Sequence, residues 1–499
     1  MLSRAMIRKT ISETLGQIRG TGLKAKSARA VMTLGVGTFA GNGMKFVRRM
    51  ILARLLAPSE IGTMAIVVSV STGFEALTEV GIKQAVIQNK LGADSDYLNV
   101  AWWMQVVRGC ALFLVAFLSA PWLSSLYDKP ELLNLLQICF LAILLRGLVS
   151  PGAYVLEKQY KFGRAVLLTQ GSAVLGVIVT IGLAWAMRNV WALVIGFVAE
   201  MAVLCLSSFV LAPILPRFKI HRESFGELMK YARGMFGLPI FAFISFQTPI
   251  LVLAKVVPDV QVGLYSYAAV LAYFPIELFS KMVTPILLPA FSEKQDDKDD
   301  LCRCLVKTSM WASFLAIPLI AFMVCCAREL LLLAYTPQYA AMAAPFALQC
   351  LLVLQRTQGM ILTSTYLALA KPHLHRRFAV LRAVTIVGLI YPASLSFGPL
   401  GAAAVMVLGD CVHLSFQVIG CRKTVGLKPG LYFRSYIPGL ALALPVVAIV
   451  GSLRLFGVDS AWFIVIVGFL ALLFAYATYL GWKFGMRRNF LCNPGQRAY

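Results

Sequence analysis

Apolar stretches recur every 30 to 40 residues along this chain, separated by short segments rich in Lys and Arg. Each is long enough to cross roughly 30 Å of hydrocarbon as a helix. None shows the two-residue alternation of a barrel strand, and helices satisfy their backbone hydrogen bonds internally. The pattern predicts an all-α polytopic membrane protein of about fourteen spans, at 30–56, 61–88, 97–120, 133–157, 165–187, 190–212, 228–254, 262–291, 304–327, 342–370, 378–396, 399–420, 435–453 and 460–482. Composition agrees: 59% of residues are hydrophobic and 14% charged. A soluble domain carries far more charge, so one soluble core is excluded.

The net charge of +24 would point to nucleic acid in a soluble protein. Its placement gives another cause. With the N-terminus inside, the cytoplasmic segments, together with Lys230, Arg233 and Lys307 at the cytoplasmic ends of spans, hold 31 Lys and Arg and the external loops hold 5. This bias predicts both termini in the cytoplasm and no nucleic-acid partner. External loops are short, so no extramembrane domain is expected. The basic segment 1–29 lacks an apolar core and a small-residue cleavage site; it reads as an interfacial helix rather than a cleaved signal.

Other chemistry is sparse. The eleven cysteines have no zinc or redox spacing, and Cys110, Cys139, Cys205, Cys350 and Cys411 fall inside apolar spans as small hydrophobes. His373-Leu-His375 has no carboxylate or Cys beside it, so neither a metal nor a cofactor is expected. The run Asp296-Asp-Lys-Asp-Asp300 reads as a solvated loop. No P-loop occurs, which argues against direct ATP hydrolysis.

Two weakly similar halves follow one another. Pro58-Ser-Glu-Ile-Gly62 is echoed by Pro258-Asp-Val-Gln-Val-Gly263, Glu75-Ala-Leu-Thr-Glu79 by Glu277-Leu-Phe-Ser-Lys281, and Glu200 by Asp410. The expected organisation is a basic segment 1–29, a six-helix bundle 30–212, a linker 213–227, a second six-helix bundle 228–424, and a final helix pair with tail, 425–499. Both halves start inside, so the repeat is parallel, an arrangement that commonly sets a substrate path near the midplane.

Leaving aside residues at the cytoplasmic ends of spans, ten bases lie within them: Lys45, Arg48, Arg49, Arg54, Lys83, Arg108, Arg146, Lys281, Arg356 and Arg382. Five acids join them: Glu75, Glu79, Glu200, Glu277 and Asp410. Each costs about 2.5–3.5 kcal/mol at mid-bilayer on insertion scales, so each should face water, a partner or a ligand. On a helix Asn42, Lys45, Arg48 and Arg49 share an arc of about 120°, with Arg54 opposite. Two readings stand. Either Asn42, Lys45, Arg48 and Arg49 form a cationic wall suited to phosphate oxygens, or the helix ends near Met44 and they anchor it at the interface; Arg146 and Arg356, mid-span in other helices, take cavity or buried-pair roles. Glu75, Glu79 and Lys83 follow i, i+4 spacing, as a self-neutralising ladder or as ion-coupling groups; Glu277, Lys281 and Asp410 are coupling candidates in the second half. Glu200 and Asp410 have no base nearby in sequence, and burial there favours the protonated carboxyl.

The stretch LARLLAPSEIGTMAIVVSVSTGFEALTEVGIKQAVIQNK, Leu52 to Lys90, resembles the first helical hairpin of Wzx-type polysaccharide flippases, in the multidrug/oligosaccharidyl-lipid/polysaccharide exporter superfamily. The resemblance rests on Ala53-Arg54-Leu55-Leu56, Pro58, Gly62, Glu79 with Gly81, and Ile87-Gln88; Glu79 stands where Asp is commoner. The long form with a basic start looks most like the exopolysaccharide and colanic-acid branch. The resemblance implies a non-enzymatic flippase of the bacterial inner membrane. Its substrate would be an undecaprenyl-pyrophosphate-linked oligosaccharide, moved by alternating access. It also implies membrane lipids, a polysaccharide polymerase and export machinery as partners. A drug/cation antiporter of the same superfamily should show an acid-dominated cavity, and a membrane glycosyltransferase or polymerase usually carries a large external loop.

Overall fold

The computed structural model describes residues 23–78, 81–159, 161–214, 217, 221–235 and 238–492. Every regular element among them is helical. Glu79 and the side chain of Lys281 lie outside the described residues. Eleven helices are long and apolar enough to cross a membrane, or twelve if one bent pair counts as a span. That count is close to the expected fourteen without reaching it, and the difference has structural reasons given below.

The chain forms two compact units, Met1–Gly263 and Leu264–Tyr499. In the first, α1 (Leu23–Leu55) runs straight through Met44, so the helix does not end there. Its second half carries Lys45, Arg48, Arg49 and Arg54, which sets it apart from the apolar spans. Next come α2 (Pro58–Thr78), the short α3 (Ile82–Gln88), α4 (Ser95–Leu126), α5 (Leu132–Leu148) and α6 (Gly152–Lys158). α5 and α6 are the bent pair, meeting at 57°. A π-helical turn, Leu167–Gly171, joins α7 (Phe162–Val166) to α8 (Ser172–Met187); α9 (Val190–Leu211), α10 (Arg222–Met235) and α11 (Leu238–Val256) follow. α12 (Asp259–Ser292) begins in the first unit and continues into the second.

Sequence accounts for these boundaries. Asp94 caps α4 by accepting the amide of Asp96, satisfying an orphan donor of the first turn. The C-terminal half of α4 is mostly apolar on all sides. Ala116, Ala120 and Leu123 turn inward, whereas Leu114, Leu118 and Trp122 stay exposed as a lipid-facing surface should. Between α2 and α3, Gly81 takes φ 65°, a left-handed conformation that glycine adopts without steric penalty. Gly81 therefore separates Lys83 on α3 from Glu75 on α2, while Glu79, the middle member of the expected ladder, lies outside the described residues.

The two copies of the Pro-to-Gly motif meet inside the first unit. A side chain on Gly62 would strike the backbone of Asp259 and Gly263, and one on Gly263 would strike that of Pro58. Charges fasten the same end: Lys129 pairs with Asp259, Lys255 with Asp128 at 2.8 Å, and the Val190 amide donates to Glu60 at 2.6 Å.

The second unit contains α13 (Lys298–Cys325), α14 (Ala327–Ala334), α15 (Ala343–Ala368), α16 (Pro372–Val425), α17 (Pro429–Arg434), α18 (Ile437–Leu455) and α19 (Ala461–Cys492). Asp297 caps α13 by accepting from the amides of Asp299 and Asp300. The acidic run is thus a helix start rather than a plain loop. At 54 residues α16 would be roughly 80 Å long if straight, far more than a bilayer. It is divided at Gly398, with φ 55° and ψ −135°. Its two arms hold the expected spans 378–396 and 399–420. α15 and α16 pack together, as do α13 and α18, around a core that includes Phe291, Leu305, Ile361 and Tyr366.

Candidate functional site

A cavity of about 150 Å³ opens within the first unit where α2, α3, α4, α5 and α6 converge. Among the described residues its charged lining is Lys83, Arg108 and Arg146 against the acid Glu75, joined by Gln84, Gln105 and Tyr154. Gln105, Arg108, Gly109 and Leu112 reach it from one face of α4, at i, i+3, i+4 and i+7. The break at Gly81 turns α3 so that Lys83 and Gln84 also line it.

Arg146 donates to the Glu75 carboxylate, and its other terminal nitrogen lies 3.7 Å from the sulfur of Met201 on α9. The Arg146 side chain is 49% exposed while Glu75 is 17% exposed. The guanidinium therefore faces the opening and the carboxylate sits behind it. Lys83 donates to Glu157 at 2.7 Å, and Gln105 Nε2 donates to the Tyr154 hydroxyl at 3.2 Å. Gln84 Oε1 and Gln105 Oε1 are buried acceptors without a donor among the described residues. The arrangement offers charge-assisted donors for an anion and amide acceptors for hydroxyl groups.

Arg48 of α1 donates to Glu200 of α9 at 3.1 Å. Glu200, without a base nearby in sequence, thus receives one from another helix. Asn42 is buried, Lys45 and Arg49 are partly buried, and Arg54 is exposed. In the second unit Asp410 accepts from Arg356 Nε at 2.9 Å and from Arg382 Nη1 at 3.0 Å. The Arg356 and Asp410 side chains are 5% and 3% exposed. Arg356 also lies over the Tyr273 ring, 4.9 Å from its centroid. Arg356 is therefore a buried partner of Asp410 within that unit. Glu277 is exposed.

The structure thus brings Glu75 and Arg146 to one cavity and pairs Arg48 with Glu200. It adds Arg108, Lys83, Gln84, Gln105 and Tyr154. Arg108 and Lys83 stood out as intramembrane bases, but the helix directions that aim them here are not readable from spacing alone. The glutamines had one available signal, since Gln105 precedes Arg108 by three residues on the same helical face.

Residues 51–344 match the family model described as "Polysaccharide biosynthesis protein". The chain is 25% identical to the succinoglycan biosynthesis transport protein ExoT of Rhizobium meliloti (strain 1021) over 421 residues, covering 82% of this chain and 83% of ExoT. It is 22% identical to the lipopolysaccharide biosynthesis protein WzxC of Escherichia coli (strain K12), covering 85% of each. Among solved structures it resembles the lipid II flippase MurJ in an inward closed conformation, with TM-score 0.72, 14% identity, and coverage of 90% of this chain and 98% of MurJ. An inward-facing multidrug resistance MATE transporter matches with TM-score 0.63, 15% identity, and coverage of 80% and 98%. The two likenesses show a shared transporter fold. With its multi-pass helical architecture and a family match over more than half its length, the chain belongs to the polysaccharide biosynthesis protein family.

Proposed function

We propose that this protein is a flippase that moves undecaprenyl-pyrophosphate-linked oligosaccharide repeat units across the bacterial inner membrane, from the cytoplasmic to the outer leaflet, for exopolysaccharide, capsule or O-antigen synthesis. The observation that carries the reading is the cavity of the first unit, with three bases and one acid beside unpartnered amide oxygens. A pyrophosphate needs cationic donors at membrane depth, and an oligosaccharide headgroup brings many hydroxyl donors. The names of ExoT, WzxC and MurJ support the same direction.

In this reading both termini are cytoplasmic, and the six-helix repeats span 30–212 and 228–424 with the final pair in 425–499. The cavity works by alternating access and breaks no covalent bond. Polymerase and export machinery take the substrate onward. Lys45, Arg48 and Arg49 supply positive charge along α1, while Glu75, Glu79, Glu277, Lys281 and Asp410 are the groups to test for ion coupling.

Proteoliposomes holding the purified protein and a fluorescent polyprenyl-pyrophosphate-linked sugar test the reading through dithionite quenching of the translocated headgroup. Faster translocation than in protein-free vesicles, abolished by Arg108→Gln, is expected, with the lipid recovered chemically unchanged. Equal rates with and without protein would overturn the proposal. The MATE likeness favours a second reading, a drug/cation antiporter; it requires that organic cations, rather than the pyrophosphate lipid, move in the same vesicles.

A further inference from the structure

α3 has only seven residues, and isolated helices shorter than about 12–15 residues are marginal, so it cannot hold its own direction. The left-handed Gly81 also uncouples it from α2. Yet α3 carries Lys83 and Gln84 into the wall of the anion cavity. What surrounds α3 must therefore set where those two side chains point. One face, Ile82, Ala85 and Val86, is buried in a core with Tyr97, Leu98 and Ala101 of α4 and Leu228 of α10. Apolar contact is non-directional, so this core holds α3 in place without fixing its tilt.

The directional restraints come from α6. Its Tyr154 lines the cavity, while Glu157 and Lys158, three and four positions on, turn to α3. Glu157 accepts from Lys83 at 2.7 Å. A lysine ammonium has three donors, so this bond orients Lys83 and leaves two N–H groups for an anion. Lys158 Nζ donates to the carbonyls of Val86 at 3.4 Å and Lys90 at 3.3 Å, and to that of Asn89. These carbonyls lie in the last turn of α3 and the turn that follows it. A helix C-terminus leaves such carbonyls unpaired and carries partial negative charge, and a cation there answers both. Gly92 closes the cup. Its amide donates to the Asn89 carbonyl at 3.1 Å, and a Cβ on it would lie 1.9 Å from the Val86 carbonyl oxygen and 3.0 Å from Lys158 Nζ. Among the described residues neither Glu157 nor Lys158 lines the cavity.

We propose that Lys158 is a positioning residue for the cavity. By capping the C-terminal end of α3 it holds Lys83 and Gln84 at the wall, so that pyrophosphate affinity depends on a side chain that does not touch the ligand. The ligand in this proposal rests on the flippase reading; the hold on α3 rests on the cup of carbonyls alone.

Hydrogen–deuterium exchange of the full-length protein in nanodiscs reads that hold. Lys158→Gln should speed exchange of residues 85–89 about ten-fold or more, as expected where charge-assisted hydrogen bonds are lost, and leave α4 and α5 unchanged. Gly92→Ala alters no charge and should do the same by forcing the Val86 carbonyl away. Should Lys158→Gln fail to fold, Gly92→Ala carries the test. Wild-type exchange over α3 in the variant that folds would overturn the proposal.

Binding of undecaprenyl pyrophosphate separates placement from distant charge. Either variant should weaken it at least about three-fold, and the loss should shrink below about two-fold in a Lys83→Gln, Gln84→Ala background, because residues that act through one another are not additive. Full affinity in the variants, or a loss of undiminished size in that background, would overturn the positioning role. If wild type binds undecaprenol as tightly as the pyrophosphate lipid, the flippase reading fails, while the exchange result still decides whether Lys158 holds α3.

Discussion

Glu200 and Asp410 lie 210 residues apart, and each meets arginine from another helix or arm. In the first unit one guanidinium answers one carboxylate, Arg48 to Glu200, with side chains 19% and 11% exposed. Nearby, Arg146 reaches into an open cavity beside Arg108 and Lys83. In the second unit two guanidiniums enclose one carboxylate that is almost wholly buried. The same residue types therefore serve different ends. A cation facing a cavity keeps donors for a ligand and contributes little to stability. A buried ion triad spends its donors internally, and removing one member leaves an uncompensated charge in the core. Positive charge inside a membrane does not by itself mark a binding site; exposure and partner separate the two cases.

The sharpest way to break this comparison is Asp410→Asn. It keeps the side-chain shape but leaves Arg356 and Arg382 without their anion, at a cost of about 3–5 kcal/mol. Folded protein recovered in detergent should fall severely, with a lower thermal midpoint; unchanged recovery would show that the triad is not structural. Smaller is the expected effect of Gly62→Val, whose side chain collides with the backbone of Asp259 and Gly263. Overpacking costs about 1–3 kcal/mol, so the midpoint should drop measurably, and an unaltered one would mean that the two helix starts do not hold this contact.

Arg146→Ala should reverse the pattern. Its cost to folding should stay within about 1 kcal/mol, while polymer export is lost; normal export with normal abundance would remove Arg146 from the site. Least affected should be Arg54→Ala, which changes an exposed residue on the opposite face of α1 from Arg48. If Arg54 proves essential for export and Arg48 dispensable, the face of α1 that matters is the other one.

Much of the fold was legible because hydrophobic length acts along the chain. The spans at 97–120, 165–187 and 190–212 correspond closely to Ser95–Leu126, Phe162–Met187 and Val190–Leu211. Breaks were harder to read. Gly81 lies in a stretch whose i, i+4 charges suggest continuity, and its left-handed φ, which sets α3 apart, is not encoded in that spacing. Pairing was harder still. Glu200 and Asp410 had no base near them in sequence because their arginines arrive from 152 residues away for Arg48, and from 54 and 28 residues away for Arg356 and Arg382. Such distances depend on helix packing, which hydrophobic pattern does not encode. Arg356 illustrates the consequence: mid-span position left a cavity wall and a buried pair equally open, and its partner Asp410 is visible only once the helices pack.

The most direct test of the account is the affinity of the full-length protein in nanodiscs for undecaprenyl pyrophosphate, measured against undecaprenol, in wild type and in Arg108→Gln and Arg146→Gln. Charge-assisted hydrogen bonds contribute about 1.5–3 kcal/mol each. Each substitution should therefore weaken pyrophosphate-lipid binding about ten-fold or more and leave the weak binding of the uncharged alcohol unchanged. Equal affinity for the two lipids, or full pyrophosphate affinity in both variants, would contradict the account.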